Sequence, residues 1–134
     1  IDDFKSINDT YGHDIGDEVI QEFGNRIHRL LDDHGMIARL GGDEFVIMVY
    51  PLTGLEDILT LAEDIIEEVQ KSWSSIHPSL MITTSIGVNL MTEQVMDRYL
   101  LMKQADLALY RAKELGKNQY FVFEHDDIQI TPKD

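Results

Sequence analysis

Two segments of this 134-residue chain hold residue types whose spacing could do chemistry. The first is Gly41-Gly42-Asp43-Glu44-Phe45. Its glycines permit a positive-φ turn and let a phosphate approach the backbone with no Cβ in the way. Asp43 and Glu44 add two carboxylates, the hard oxygen ligands that a Mg²⁺ on nucleotide phosphates takes in ones and twos. Neighbouring strand residues leave opposite faces, so the pair serves one ion alike only if the turn distorts the pleat. The second segment, Phe4 to Asp17, holds Lys5, Asn8, several carboxylates, Gly12 and Gly16. Lysine is a point-charge partner for phosphate. An asparagine with an aspartate offers donors and acceptors to a purine edge, as the N1–H and N2–H₂ donors of guanine require. Taken singly, the same residues suit ordinary structure: Gly-Gly-Asp-Glu a hairpin, Asn8 and Asp9 a turn, Asp17 a helix N-cap.

The elements that must position these residues can be read from periodicity. Phe4–Asp17 lies between a strand end and a helix start, with a loop over Thr10–Gly16. From Asp17 as N-cap, Val19, Ile20, Phe23, Ile27, Leu30 and Leu31 recur at helical spacing, and Gly35 lies just beyond the end. Met36–Leu40 and Phe45–Tyr50 read as strands of a hairpin. Pro51–Gly54 is a turn, and a second amphipathic helix runs from Leu55 to near Lys71. Trp73–Ser79 is a loop in which Trp73 either caps that helix or lies exposed. Leu80 to Leu90 alternates as a strand, its main apolar face at even positions. Leu101–Leu115 is a third helix stopped by Gly116, and Tyr120–Phe123 a last strand. Glu124–Asp134 is a polar tail or linker. An opening strand would end where Ile1 begins. Helices flanking a mostly antiparallel sheet make this an α+β chain. Ile65, Ile66, Val69, Ile82, Ile86, Ala105 and Leu109 are expected in the core.

Hydrophobic residues at 43% and charged residues at 27% describe one soluble globular domain. There are no cysteines, which excludes disulfides, thiolate metal sites and a cysteine nucleophile. The five histidines show no ligand-pair spacing. A formal charge of −14 argues against nucleic acid and anionic membranes, both of which need a basic surface. It leaves room for an anionic small molecule carried in with a divalent cation. No apolar run spans a bilayer and no signal peptide is visible, so a cytoplasmic location is expected, free or as the cytoplasmic part of a membrane-anchored protein.

Together the two segments resemble a known family. Phe4-Lys5-x-Ile7-Asn8-Asp9-x-x-Gly12-His13-x-x-Gly16-Asp17, followed by Arg39-Leu40-Gly41-Gly42-Asp43-Glu44-Phe45, is similar to the GGDEF domain of diguanylate cyclases. Thr84–Val88 and the run from Ala105 to Asn118 match the same family, so the resemblance covers residues 1–123. It implies a palm-like, ferredoxin-like fold related to adenylyl cyclase and polymerase palms. It also implies a Mg²⁺- or Mn²⁺-dependent nucleotidyltransferase that joins two GTP molecules into cyclic di-GMP and works as a dimer of domains. Carried across by position, Asn8 and Asp17 read the guanine. Lys5, Lys113 and Lys117 hold phosphates, with backbone N–H groups around Asp3 and Phe4 and the open backbone of Gly42. Asp43 and the Ile1 carbonyl bind metal, and Glu44 supports the metal or the attacking hydroxyl.

Three departures bear on activity. Lys117 stands where the family commonly has Arg, replacing a bidentate fork by a point charge. The family's first metal aspartate immediately precedes the position of Ile1; Asp2 is the next aspartate, on the opposite face. Residues 1–134 by themselves are therefore expected to be inactive, because that first metal aspartate is absent from them. Asp32-Asp33-His34-Gly35 replaces the Arg-x-x-Asp product-inhibition motif, which predicts no feedback through that site. Arg26 and Arg29, close by, read as solvated surface charges. The resemblance further implies an upstream sensor domain. An alternative is a weakly active or inactive GTP-binding module fused to a cyclic di-GMP phosphodiesterase.

Overall fold

Phe4, Ile7 and Tyr11 fall one helical turn apart, and the segment that holds them is a helix rather than a loop. In the computed structural model, residues 1–49, 55–90 and 97–123 are described. The elements are α1 (Phe4–Tyr11), α2 (His13–Leu31), β1 (Gly35–Gly41), β2 (Glu44–Val49), α3 (Leu55–Gln70), β3 (Ile86–Val88), α4 (Arg98–Glu114) and β4 (Tyr120–Val122). They form two compact units, Ile1–Thr84 and Ser85 onward. The expected turn at Pro51–Gly54, the end of the second strand at Tyr50 and the tail from Glu124 lie outside the described residues.

Gly12, at φ 95°, separates the first two helices. Its N–H closes α1 on the Asn8 carbonyl, and its own carbonyl accepts from Gly16 N–H in the first turn of α2. Asp17 is therefore inside α2 and not its N-cap, which is Gly12. Val19, Phe23, Ile27 and Leu31 form the buried stripe of α2, and Ala62, Ile65 and Val69 that of α3. The Phe23 ring lies 4.9 Å from that of Phe45, tying α2 to the hairpin.

Trp73 is the helix cap and not a loop ornament: it is 1% exposed and its indole N–H donates to the Val69 carbonyl at 2.7 Å. Arg26, read from sequence as a surface charge, is buried. Its guanidinium stacks 3.9 Å from the Trp73 ring centre and donates to the Glu68, Lys71 and Ser72 carbonyls and to the Glu22 carboxylate. A helical pattern of polar and apolar residues cannot foresee this, because the partners come from the end of another helix. Arg29 is exposed, as expected.

The hairpin is antiparallel, with Met36 opposite Met48 and Ala38 opposite Val46. In the second unit β3 and β4 run parallel, which requires the crossover that α4 supplies. Gly87 lets α4 lie on β3: a Cβ there would meet the Ala105 carbonyl and the Leu109 backbone. Gly116 ends α4 in a Schellman motif, with Lys117 N–H on the Ala112 carbonyl and Gly116 N–H on that of Lys113. The class is α+β, as expected, although the strand expected over Leu80–Leu90 shortens to Ile86–Val88. Burial alternates there as predicted, with Leu80, Ile82 and Thr84 inside and Met81 out, but a ladder needs a partner, and β4 pairs with three residues. Of the expected core, Ile65, Val69 and Ile82 are buried. Ile66, Ile86, Ala105 and Leu109 are half-buried. Ile66 sits at the edge of its stripe, and a two-stranded layer is too narrow to enclose the other three.

Candidate functional site

The Gly-Gly-Asp-Glu segment is a two-residue hairpin loop. Gly41 pairs with Glu44, leaving Gly42 (φ 52°) and Asp43 as the loop, and the register slips between Arg39 and Gly41. That irregularity answers the pleat problem: Asp43 is in the loop and Glu44 in the ladder, so their directions are not forced opposite. Arg39 Nε clamps the loop from below, donating to the Gly42 carbonyl at 2.8 Å. The Ile1 nitrogen donates to the Asp43 carbonyl at 3.4 Å, which sets Ile1 against the loop. Asp43 is half-buried and Glu44 exposed.

Asp2, expected to face away from the metal position, is engaged by Thr83. It is buried, accepts from Thr83 Oγ1 at 2.7 Å, and its N–H donates to the Thr83 carbonyl, away from the loop chemistry. Asp3 caps α1 in the left-handed region at φ 55°. The first-turn amides of Phe4 and Lys5 follow it, the arrangement that favours an anion at a helix start. Lys5 Nζ holds Asp9 at 3.0 Å, both exposed; such a pair is worth little and can exchange for phosphate.

Asn8 faces α2 at Gly16. Its Oδ1 is buried with no hydrogen-bond partner, and a Cβ on Gly16 would overlap it, lying also 3.0 Å from Asn8 Cγ and 3.3 Å from Phe4 Cζ. Asp17 is the next residue and is exposed. Gly16, expected at the end of the Thr10–Gly16 loop, is instead buried inside α2, a placement that depends on α1 being a helix packed against it. Lys113 and Lys117 belong to the second unit, in the last turn of α4 and in the turn after it, where Gly116, Lys117 and Asn118 all have positive φ. The groove lined by Ile7, Tyr11, Trp73 and Met81 includes Asp3 but none of the other predicted site residues.

Comparison with known proteins decides the family. The model of "Diguanylate cyclase, GGDEF domain" matches residues 1–119. The chain belongs to the GGDEF family. It is 40% identical over 118 residues to the signaling protein YkoW of Bacillus subtilis, covering 87% of this chain and 15% of that protein. It is 38% identical over 124 residues to MucR of Pseudomonas aeruginosa, a bifunctional diguanylate cyclase/cyclic di-GMP phosphodiesterase, covering 92% and 18%. The chain thus spans under a fifth of either relative. Among solved structures, the active GGEEF domain of a Vibrio cholerae diguanylate cyclase superposes with TM-score 0.82 at 32% identity, covering 93% of this GGDEF chain and 79% of that one. The α+β palm-like fold expected from the motifs is therefore the fold of the family.

For a divalent metal, the donors fit by type. Asp43, Glu44 and the Ile1 carbonyl offer oxygen only, as Mg²⁺ or Mn²⁺ prefers, and the Ile1 nitrogen on the Asp43 carbonyl brings the two residues, though not the ligand atoms themselves, into contact.

Proposed function

We propose that this GGDEF domain is the catalytic domain of a diguanylate cyclase, condensing two GTP into cyclic di-GMP with release of two pyrophosphates. The observation that carries the reading is the contact between Ile1 and Asp43, which supports one site built from the Gly-Gly-Asp-Glu loop and the start of α1. Asn8 and Asp17 hold guanine; Asp3 and Phe4 amides, Lys5, Gly42, Lys113 and Lys117 hold phosphates. Asp43 and the Ile1 carbonyl, with Glu44, hold the divalent metal. When bound, that metal neutralises charge on the phosphates. The chain's own residues orient each GTP so that a ribose 3′-hydroxyl from one domain stands in line with the α-phosphorus of the other. The O–P bond forms as the bond to pyrophosphate breaks, and the hydroxyl proton leaves to a base such as Glu44.

Two copies are required, each bringing one GTP, with an upstream sensor domain to pair them. Residues 1–123 are the catalytic domain and 124–134 a polar tail or linker. Among the described residues no helix is long and apolar enough to cross a membrane, and the domain is proposed to work in the cytoplasm. A second reading is a weakly active or inactive GTP-binding module fused to a phosphodiesterase domain; the likeness to MucR supports only the phosphodiesterase neighbour in it. GTP turnover with Mg²⁺ in the full protein, analysed by nucleotide chromatography, separates the two. Cyclic di-GMP that vanishes in Asp43→Asn is the expected result. GTP bound but unconverted, at protein concentrations that force dimers, would sink catalysis and leave the regulatory module.

A further inference from the structure

We infer that Gly16 is the positioning residue for base selection: it holds the Asn8 amide with its oxygen inward and its NH₂ outward, so that Asn8 is the donor and Asp17 the acceptor towards guanine. The inference rests on the guanine reading proposed above for this pair.

Three observations meet at one point. Asn8 Oδ1 is buried and accepts no N–H or O–H. Gly16 is buried in α2, and the space its absent Cβ would occupy is where that oxygen lies. Phe4 closes the same space from another side. A primary amide carries its acceptor and its donors at opposite ends. An oxygen pressed against a glycine Cα–H is tolerated as a weak contact, whereas the reverse orientation would press two amide hydrogens onto it. With the oxygen inward, the NH₂ is the end left to reach a ligand. Asp17, one residue beyond Gly16 and exposed, has only acceptors to offer when ionised. Adjacent N1–H and N2–H₂ groups of a guanine face such a carboxylate well, while its ring or carbonyl acceptors face an NH₂. Adenine lacks two adjacent donors.

The test is GTP affinity, by calorimetry on the full protein, for Gly16→Ala, Asn8→Ala, the double variant and Asn8→Asp. Gly16→Ala should weaken GTP by about tenfold or more, the scale of losing an aligned polar contact. Alanine is the better helix former, so a weaker α2 cannot be the cause. In the Asn8→Ala background the same change should cost nothing further, because the side chain it displaces is gone. Losses that add would overturn the inference. Normal GTP binding by Asn8→Ala would instead sink the guanine reading itself. GTP binding weakened by Asn8→Ala but untouched by Gly16→Ala would leave that reading standing and remove Gly16 from it. Asn8→Asp needs no new Cβ and presents an oxygen where the NH₂ stood, while also adding a negative charge beside Asp17, so its informative outcome is retention. It should lose GTP about as far as Asn8→Ala, and full retention would show that the outward atom is an acceptor.

Discussion

Lys117 shows how a side chain's task can be separated from its backbone's. It sits at φ 63°, between Gly116 at 129° and Asn118 at 53°, a run of left-handed residues in which only the lysine has neither glycine's freedom nor asparagine's tolerance. Holding a non-glycine residue there costs about 1 kcal/mol. If the lysine is kept for phosphate, Lys117→Gly should keep or raise the unfolding midpoint while weakening GTP binding several-fold. Lys117→Arg should restore a forked donor and tighten binding. Paired denaturation and GTP titration check this; a Lys117→Gly variant with unchanged affinity would take Lys117 out of the phosphate site.

At the scale of elements, the α3 end, Trp73 and Arg26 act as one joint. The guanidinium donates to three carbonyls at the end of α3 and in the following turn, sharing that of Glu68 with the Lys71 N–H, and Trp73 takes a fourth through its indole. Arg26 thus links α2 to the end of α3, and α2 carries Gly16 and Asp17. Removing the cation leaves the part-buried Lys71 and Ser72 carbonyls without this donor and Glu22 without its partner, so Arg26→Met should cost about 1–3 kcal/mol in urea unfolding. Arg29→Met, exposed on the same helix, should cost under about 1 kcal/mol. Equal losses at the two positions would contradict the joint.

For the whole molecule the governing quantity is charge. Each copy of the 134-residue chain carries −14, yet the proposed reaction needs two of them face to face. Like charges slow such encounters, and salt shortens their reach from about 30 Å at 10 mM to about 8 Å at 150 mM. At low protein concentration, turnover per domain should therefore rise several-fold over that range of NaCl with Mg²⁺ held constant. At concentrations where the dimer is saturated, salt should have little effect. A fall with salt at low concentration would point to an attractive, oppositely charged contact and contradict this account.

The order of motifs along the chain, with Gly-Gly-Asp-Glu between two strand-like runs, determined the family, the α+β class and the hairpin that carries Asp43, because a turn's chemistry is local to its own residues. Helices α2, α3 and α4 were legible for the same reason: their apolar stripes repeat over many turns. Helix α1 was missed because eight residues bearing Asn8 and Asp9 read as a turn until packing on α2 holds them. Only the tertiary structure decided what depends on contacts distant in sequence. Arg26 is buried because Glu68 of α3 and Lys71 and Ser72 of the turn after it arrive at its guanidinium, and Trp73 is a cap because it folds back on Val69. Gly16 matters because Asn8 lies in the space a side chain would need. A residue's type limits what it can do, but the missing Cβ of Gly16 has a consequence only once a second helix is laid against it.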